Sequence, residues 1–290
     1  MALEEESPLL NVDEFSERIL NTLVEEPDSR DKLKEIAKEY TEESVEDSLR
    51  LKVLSNPIPK HVALIADGNR RYAKKMGINN FVGHILGAIR SLLIVTSLMD
   101  LGVKEVTFYA FSVENFKRKD KEVDFIMNLF AHTFELLPKL ATIRERKIRV
   151  QVVGDLSLIP ERLVRAISLV EDETSAYDNC ILTFCLGYGS RHQLTLSCRS
   201  IAKKVKEGHI EPDDVNESTF EDNLYGDKHK ISYPELIIRT SGEKRLSNFL
   251  LWEGAYSELY FSRLLFPEFN KNSLYKAIID LQKRERRFGE

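Results

Sequence analysis

Four short segments set cationic, carboxylate and small polar residues directly beside an apolar run. In the first, His61-Val62-Ala63-Leu64-Ile65-Ala66 gives way to Asp67-Gly68-Asn69 and then to the basic stretch Arg70-Arg71-Tyr72-Ala73-Lys74-Lys75. A helix starting there presents free backbone N–H groups and the positive end of its dipole to an anion. Arg70 and Arg71 oppose that dipole, a conflict that a bound diphosphate resolves. Asp67 either caps the helix or ligates a metal. The spacing matches neither G-x-x-x-x-G-K-[ST] nor G-x-G-x-x-G, so nucleotide binding is not supported.

The second segment, Phe108 to Arg118, offers Ser112 and Asn115 as neutral donors and acceptors and Arg118 as a fork suited to phosphate. Ser and Asn are also ordinary turn residues. The third follows Leu236-Ile237-Ile238: Arg239 and Arg245, with Gly242 between them and Ser247 beyond, form a candidate oxyanion cradle. The fourth places Glu258 among Trp252, Tyr256, Tyr260 and Phe261. A carboxylate in such surroundings needs an arginine or a divalent cation. Mg²⁺ takes one or two carboxylates and completes its shell with phosphate oxygens and water.

These segments must be positioned by the elements around them. Apolar runs at Val62–Ala66, Val106–Phe111, Ile148–Val153, Ile181–Leu186, Leu236–Ile238 and Glu258–Phe261 read as strands. Between and after them, helices are expected near Ile85–Leu101, Val123–Leu140, Arg162–Thr174, beyond Gly189, and at Ser273–Arg287. Unbroken apolar strands alternating with helices predict an α/β fold, a mostly parallel central sheet with helices on both faces. Ligands in such sheets bind beyond the carboxyl ends of the strands.

Residues 1–55 are charged, lack glycine and carry apolar residues at helical spacing (Phe15, Ile19, Leu23; Leu33, Ile36, Ala37). They read as an extension of two or three short amphipathic helices packing on the domain, rather than as a dedicated partner site. Asn56-Pro57-Ile58-Pro59 is a stiff linker into a domain of residues 56–290. The net charge is −5 and the pI about 5.8, which excludes the global field of a nucleic-acid binder. Cys180, Cys185 and Cys198 match neither a zinc nor a disulfide pattern and read as reduced residues of a cytoplasmic protein. The stretch MALEEESPLL is unlike a signal peptide. No stretch is expected to reach the roughly 18 apolar residues of a membrane span.

From about His61 to Gly289 the chain resembles the cis-prenyltransferase family, the undecaprenyl and dehydrodolichyl diphosphate synthases. The resemblance rests on H-V-A-L-I-A-D-G-N-R-R-Y-A, Y-A-F-S-V-E-N-F-K-R, V-V-G-D, I-I-R-T-S-G-E-K-R-L-S-N-F-L-L-W and A-Y-S-E-L-Y-F in that order. It implies a Mg²⁺-dependent enzyme that adds isopentenyl diphosphate to an allylic prenyl diphosphate such as farnesyl or geranylgeranyl diphosphate. By that resemblance Asp67 and Glu258 hold the metal, and Gly68, Asn69, Arg70, Arg71, Tyr72 and His84 the allylic diphosphate. Ser112, Val113, Glu114, Phe116, Arg118, Arg239, Arg245, Leu246 and Ser247 hold isopentenyl diphosphate. Asn115, with His84 and Ser112, sits where the proton leaves. The helices carrying Leu92, Leu93, Phe125, Ile126 and Phe130 would wall a tunnel, although such residues are equally core.

The R-x-G ending at Arg287 and Gly289 implies a homodimer, and a lipid product implies peripheral membrane contact. Two departures stand out: Ala66 replaces a usual Met, and Asn80 replaces an arginine that contacts the allylic diphosphate, which leaves the allylic substrate open. Two other readings share the fold. One is an irregular enzyme joining two five-carbon units head-to-middle. The other is the non-catalytic subunit of a two-subunit enzyme, which would have lost the metal and arginine residues kept here.

Overall fold

The computed structural model describes residues 12–24, 27–41, 43–44, 46–225 and 229–285. Three helices, α1 (Val12–Leu23), α2 (Pro27–Thr41) and α3 (Asp47–Leu54), precede the sheet. Then come β1 (His61–Ile65), α4 (Asn69–Met76), α5 (Asn80–Asp100), β2 (Glu105–Ser112), α6 (Asp120–Leu136), α7 (Ala141–Glu145) and β3 (Ile148–Val153). The chain continues through α8 (Glu161–Thr174), β4 (Cys180–Tyr188), α9 (Ser190–Lys206), α10 (Glu217–Glu221), β5 (Leu236–Arg239), β6 (Glu258–Phe261) and α11 (Lys271–Leu281). The six strands pair in the order β3-β4-β2-β1-β5-β6, and every pairing is parallel.

The pattern of β1 explains its central place. All five residues are buried, and alternate side chains serve different layers. Val62 and Leu64 join a large apolar core with α5, α6, α8 and α11, whereas Ala63 and Ile65 join a smaller one with Phe249 and Leu250. Pro138 ends α6 at Leu136 and turns residues 137–139 into a 3₁₀ segment, so the helix is shorter than expected. α5 begins earlier than expected, because the Asn79 side chain accepts the Phe81 N–H at 3.0 Å and caps it. α11 stops at Leu281 rather than Arg287.

The expectation that no stretch reaches membrane-span length is corrected by α5. It is 21 residues long and its most apolar window has a mean hydropathy of 1.7, enough to cross a bilayer, but that window is 78% buried inside the protein. It is the central helix of the large core. The extension is more deeply integrated than a solvated appendage: Phe15, Ile19, Leu20 and Leu33 are fully buried in that same core.

Candidate active site

Parallel strands deliver Asp67, Ser112 and Arg239 to one end of the sheet, because β1, β2 and β5 run side by side in register. Gly68, at φ 117°, starts α4 in a conformation that a Cβ disfavours, and an added Cβ would lie 3.0 Å from Leu265. Gly83 and Gly87 let α5 approach the same turn, since a Cβ on Gly87 would come within 2.7 Å of the Asn69 amide. The sharp turn at Asp67–Asn69 therefore depends on its own glycine and on two glycines of α5.

Asp67 accepts Arg239 Nη2 at 3.0 Å and Arg71 Nη2 at 3.3 Å. Partial burial works against its charge, but the hydrogen bonds from Arg239 and Ser241 and the charges of Arg239 and Arg71 outweigh it and hold its carboxyl below the usual range. Thr240 Oγ1 fixes the backbone beneath, accepting the Asp67 N–H at 3.0 Å and donating to its carbonyl at 2.7 Å. Arg239 is itself buried. Its Nη1 donates to the Arg245 carbonyl and to Ser247 Oγ at 2.7 Å, while its Nε has no partner among the described residues. An orphaned buried guanidinium N–H is costly unless something accepts it.

The Ser247 turn is built from unusual backbone. Ser241, Ser247, Asn248 and Leu250 all have positive φ, a conformation that costs about 1–3 kcal/mol for a non-glycine residue and gathers at functional sites. Asn248 holds the turn, accepting the Arg191 N–H at 2.8 Å and donating to Glu114 at 3.1 Å. Tyr109 supports it from β2, donating to the Ser247 carbonyl at 3.1 Å and stacking on Phe249.

On the other side, the Ser112 N–H donates to Asn115 Oδ1 at 3.2 Å and orients that amide. His84 and Arg118 each lie 3.3 Å from Glu122 Oε1, and Arg70 lies 3.5 Å from Glu122 Oε2. Burial lowers the His84 pKa to about 4, more than the Glu122 charge can offset, so the imidazole is neutral near pH 7. Its Nε2 carries the hydrogen, because the partner is a carboxylate.

Together these groups form the mouth of a cavity of about 930 Å³. Beyond the mouth its walls become apolar: Gly87, Leu92 and Val95 from α5, Ile126, Leu129 and Phe130 from α6, and Leu182 and Phe184 from β4. Thr133 and Leu137 line it further along α6 and just after it.

Of the residues expected at the site, Asp67, Gly68, Asn69, Arg70, Arg71, His84, Ser112, Glu114, Asn115, Arg118, Arg239, Arg245 and Ser247 all line this cavity. Several others do not. Tyr72 lies on the inner face of α4, buried in the large core, because it is about 200° round the helix from Arg70. The side chains of Val113, Phe116 and Leu246 pack beneath the turns: Phe116 against Phe111, Leu246 on the small core, and Val113 against Gly189. Among the candidate tunnel residues, Leu92, Ile126 and Phe130 line the cavity, Leu93 is core, and Phe125 stacks on Phe81. Asn80 is exposed, outside the lining.

The structure does not bring Glu258 and Asp67, the two expected metal ligands, together. Glu258 is the first residue of β6 and stands level with Leu236 and Val62, whereas Asp67 follows the last residue of β1. Three residue steps separate that level from Ile65, roughly 10 Å along the sheet. Glu258 instead accepts Arg284 Nη1 at 2.6 Å. Arg287 and Gly289 lie outside the described residues.

Among the described residues no group of three or more His, Cys, Asp or Glu side chains could hold a metal alone. A cation bound by one carboxylate and by substrate phosphate oxygens does fit Asp67, which is held ionised at the cavity mouth. Glu122, Tyr109, Thr240 and Asn248 were not singled out by sequence. Only Glu122 carried a local signal, its i+4 spacing from Arg118.

A parallel α/β fold with a cationic mouth and a long apolar shaft defines an enzyme that transfers prenyl groups carried as diphosphates. The family described as putative undecaprenyl diphosphate synthase matches residues 65–289. A Methanopyrus kandleri protein named tritrans,polycis-undecaprenyl-diphosphate synthase (geranylgeranyl-diphosphate specific) is 43% identical over 275 residues, covering 94% of this chain and 97% of its own. An isoprenyl transferase from Clostridium perfringens is 41% identical over 86% of this chain and 97% of its own. The crystal structure of lavandulyl diphosphate synthase from Lavandula x intermedia, in complex with dimethylallyl diphosphate, superposes with a TM-score of 0.77. It is 36% identical and covers 80% of this chain and 99% of its own. The chain belongs to the undecaprenyl diphosphate synthase family of cis-prenyltransferases.

Proposed function

We propose that the chain is a Mg²⁺-dependent cis-prenyltransferase that lengthens an allylic prenyl diphosphate, of farnesyl or geranylgeranyl size, with isopentenyl units. The observation that carries this reading is the junction of an arginine-rich mouth with an apolar shaft, a lining suited to two diphosphates at one end and a hydrocarbon tail at the other. The name of the Methanopyrus relative favours a geranylgeranyl donor.

Arg70, Arg71, Asn69 and the N-terminal amides of α4 receive the allylic diphosphate and stabilise it as it leaves. Arg239, Arg245 and Ser247 hold isopentenyl diphosphate, with Arg118 reaching from the facing turn. Asp67, poised between the two groups, would hold Mg²⁺, which supplies charge neutralisation to the departing diphosphate. As the allylic C–O bond breaks, the isopentenyl double bond attacks the allylic carbon and a proton leaves the resulting cation. A diphosphate oxygen or the Asn115–Ser112 network suffices as acceptor, because the cation is strongly acidic. His84 is neutral and keeps Glu122, and through it Arg70 and Arg118, in place.

The same fold in lavandulyl diphosphate synthase keeps the irregular coupling reading as the alternative. The shaft favours elongation, since coupling two five-carbon units does not use its depth. The arginine and carboxylate set argues against a non-catalytic subunit. A homodimer, and contact with a membrane for product release by an otherwise cytoplasmic enzyme, belong to the same proposal. Incorporation of labelled isopentenyl diphosphate onto geranylgeranyl diphosphate should require Mg²⁺, stop on chelation, and be abolished by Asp67→Ala with the fold retained by circular dichroism. Full incorporation by Asp67→Ala would contradict the role given to Asp67.

A further inference from the structure

Arg90 sits in the middle of α5 with 1% of its side chain exposed, yet it belongs to neither the cavity lining nor the diphosphate cradle. Its guanidinium forms a two-pronged ion pair with Glu43, Nη2 to Oε1 at 2.6 Å and Nη1 to Oε2 at 2.7 Å. It lies over the Tyr40 ring at 3.8 Å, and its Nε donates to the Pro267 carbonyl at 3.1 Å. One buried cation therefore joins the N-terminal extension to the turn at residues 265–268.

That turn backs the diphosphate cradle. The Phe266 N–H donates to the Asp67 carbonyl at 3.0 Å, Leu265 packs on Gly68, and Glu268 pairs with Lys75 of α4 at 2.5 Å. The extension also touches α4 directly. Lys32 donates to the Met76 carbonyl at 3.3 Å, and Tyr72 is the neighbour that, after burial, does most to push the Tyr40 phenol up. Both ends of α4, and the turn that starts it, are thus held from behind. Glu46 is pinned in turn by Asn272 of α11, which accepts its N–H at 3.2 Å.

A buried ion pair seldom adds net stability over apolar packing of the same volume; what it supplies is a fixed geometry. The two-pronged guanidinium fixes direction as well as distance. An apolar residue at position 90 could fill the space but could not tie Pro267 and Glu43 to one plane.

We propose that α2 and Glu43 brace the allylic-diphosphate cradle and that Arg90 is the positioning residue that transmits the brace to α4 and the Asp67–Gly68 turn. This rests on the reading that the cradle takes an allylic diphosphate. Glu43→Gln keeps volume and is partly exposed, so it tests the pair without threatening the fold; Arg90→Met tests the other partner. Binding of unreactive geranylgeranyl thiodiphosphate, binding of isopentenyl diphosphate and hydrogen exchange of residues 65–76 are compared in the full-length chain. Both variants should weaken thiodiphosphate binding about tenfold, leave isopentenyl diphosphate binding within twofold, and speed exchange in residues 65–76. Unchanged exchange there in both variants overturns the brace, as does an equal loss for both ligands. Should the unaltered chain fail to bind the thiodiphosphate, the functional reading fails, and the exchange data still decide the brace.

Discussion

At the scale of single residues the site works by shared partners. Asp67 lies between Arg239 and Arg71, so each arginine is oriented before any phosphate arrives. Such preorganisation removes reorganisation that would otherwise weaken electrostatic stabilisation. Glu122 does the same on the opposite wall, joining Arg70, His84 and Arg118. Glu122→Gln removes the charge while retaining the shape, and charge-assisted hydrogen bonds are about twice as strong as neutral ones. The expected result is a roughly tenfold rise in KM for the allylic diphosphate with a smaller change in kcat, measured by steady-state kinetics. The sequence made Asp67, Arg118 and Arg239 legible because arginines and carboxylates after apolar strands are unusual. It made Glu122 far less so, because a glutamate on the first turn of a charged helix looks like dipole complementation.

Among elements, the parallel sheet did most to make the site readable. Once the strands are taken as parallel, every turn after a strand falls at one end, and thirteen of the expected residues meet there. The same rule separates Glu258 from Asp67: a residue that opens a parallel strand lies at the other end of the sheet. Tyr72 lies apart from the cavity for a different reason, helical phase, since α4 shows its arginines to the cavity and its aromatic to the core. The extension was legible as helices but not in depth, because amphipathic spacing shows a buried face without showing what covers it. α5 and α6 together wall the shaft, and filling it should shorten the product. Thr133→Trp places a bulky ring in that wall, and the polyprenyl products, resolved by mass spectrometry, should shift to fewer isoprene units. An unchanged length distribution would show that the chain does not pass Thr133.

Across the whole molecule the sheet separates the chemistry from a second polar cluster at its opposite end. His61 opens β1, fully buried, with Nε2 2.8 Å from Thr107 Oγ1 and Nδ1 3.0 Å from the Ser232 carbonyl. Burial lowers its pKa to about 4, and the backbone contact with Ser232 offsets only part of that. Between about pH 4 and pH 6.5 the unfolded chain binds a proton that the folded chain does not, so stability rises with pH across that window. The gain from His61 is on the order of 3 kcal/mol and is complete above the unfolded pKa. Urea unfolding at a series of pH values should show this rise, with a shallower slope in His61→Gln. The part of this slope that His61→Gln removes lies outside the catalytic mouth, whereas His84, lowered to about 4 inside the mouth, adds a part that His61→Gln leaves in place.

In the proposed function the cationic mouth and the apolar shaft serve one growing chain. The most direct measurement is the mass distribution of products formed by the purified chain from geranylgeranyl diphosphate, isopentenyl diphosphate and Mg²⁺. The expected result is a ladder of prenyl diphosphates spaced by single isoprene units and extending well beyond the donor. No product longer than the donor, with farnesyl, geranylgeranyl or dimethylallyl diphosphate alike, would contradict it.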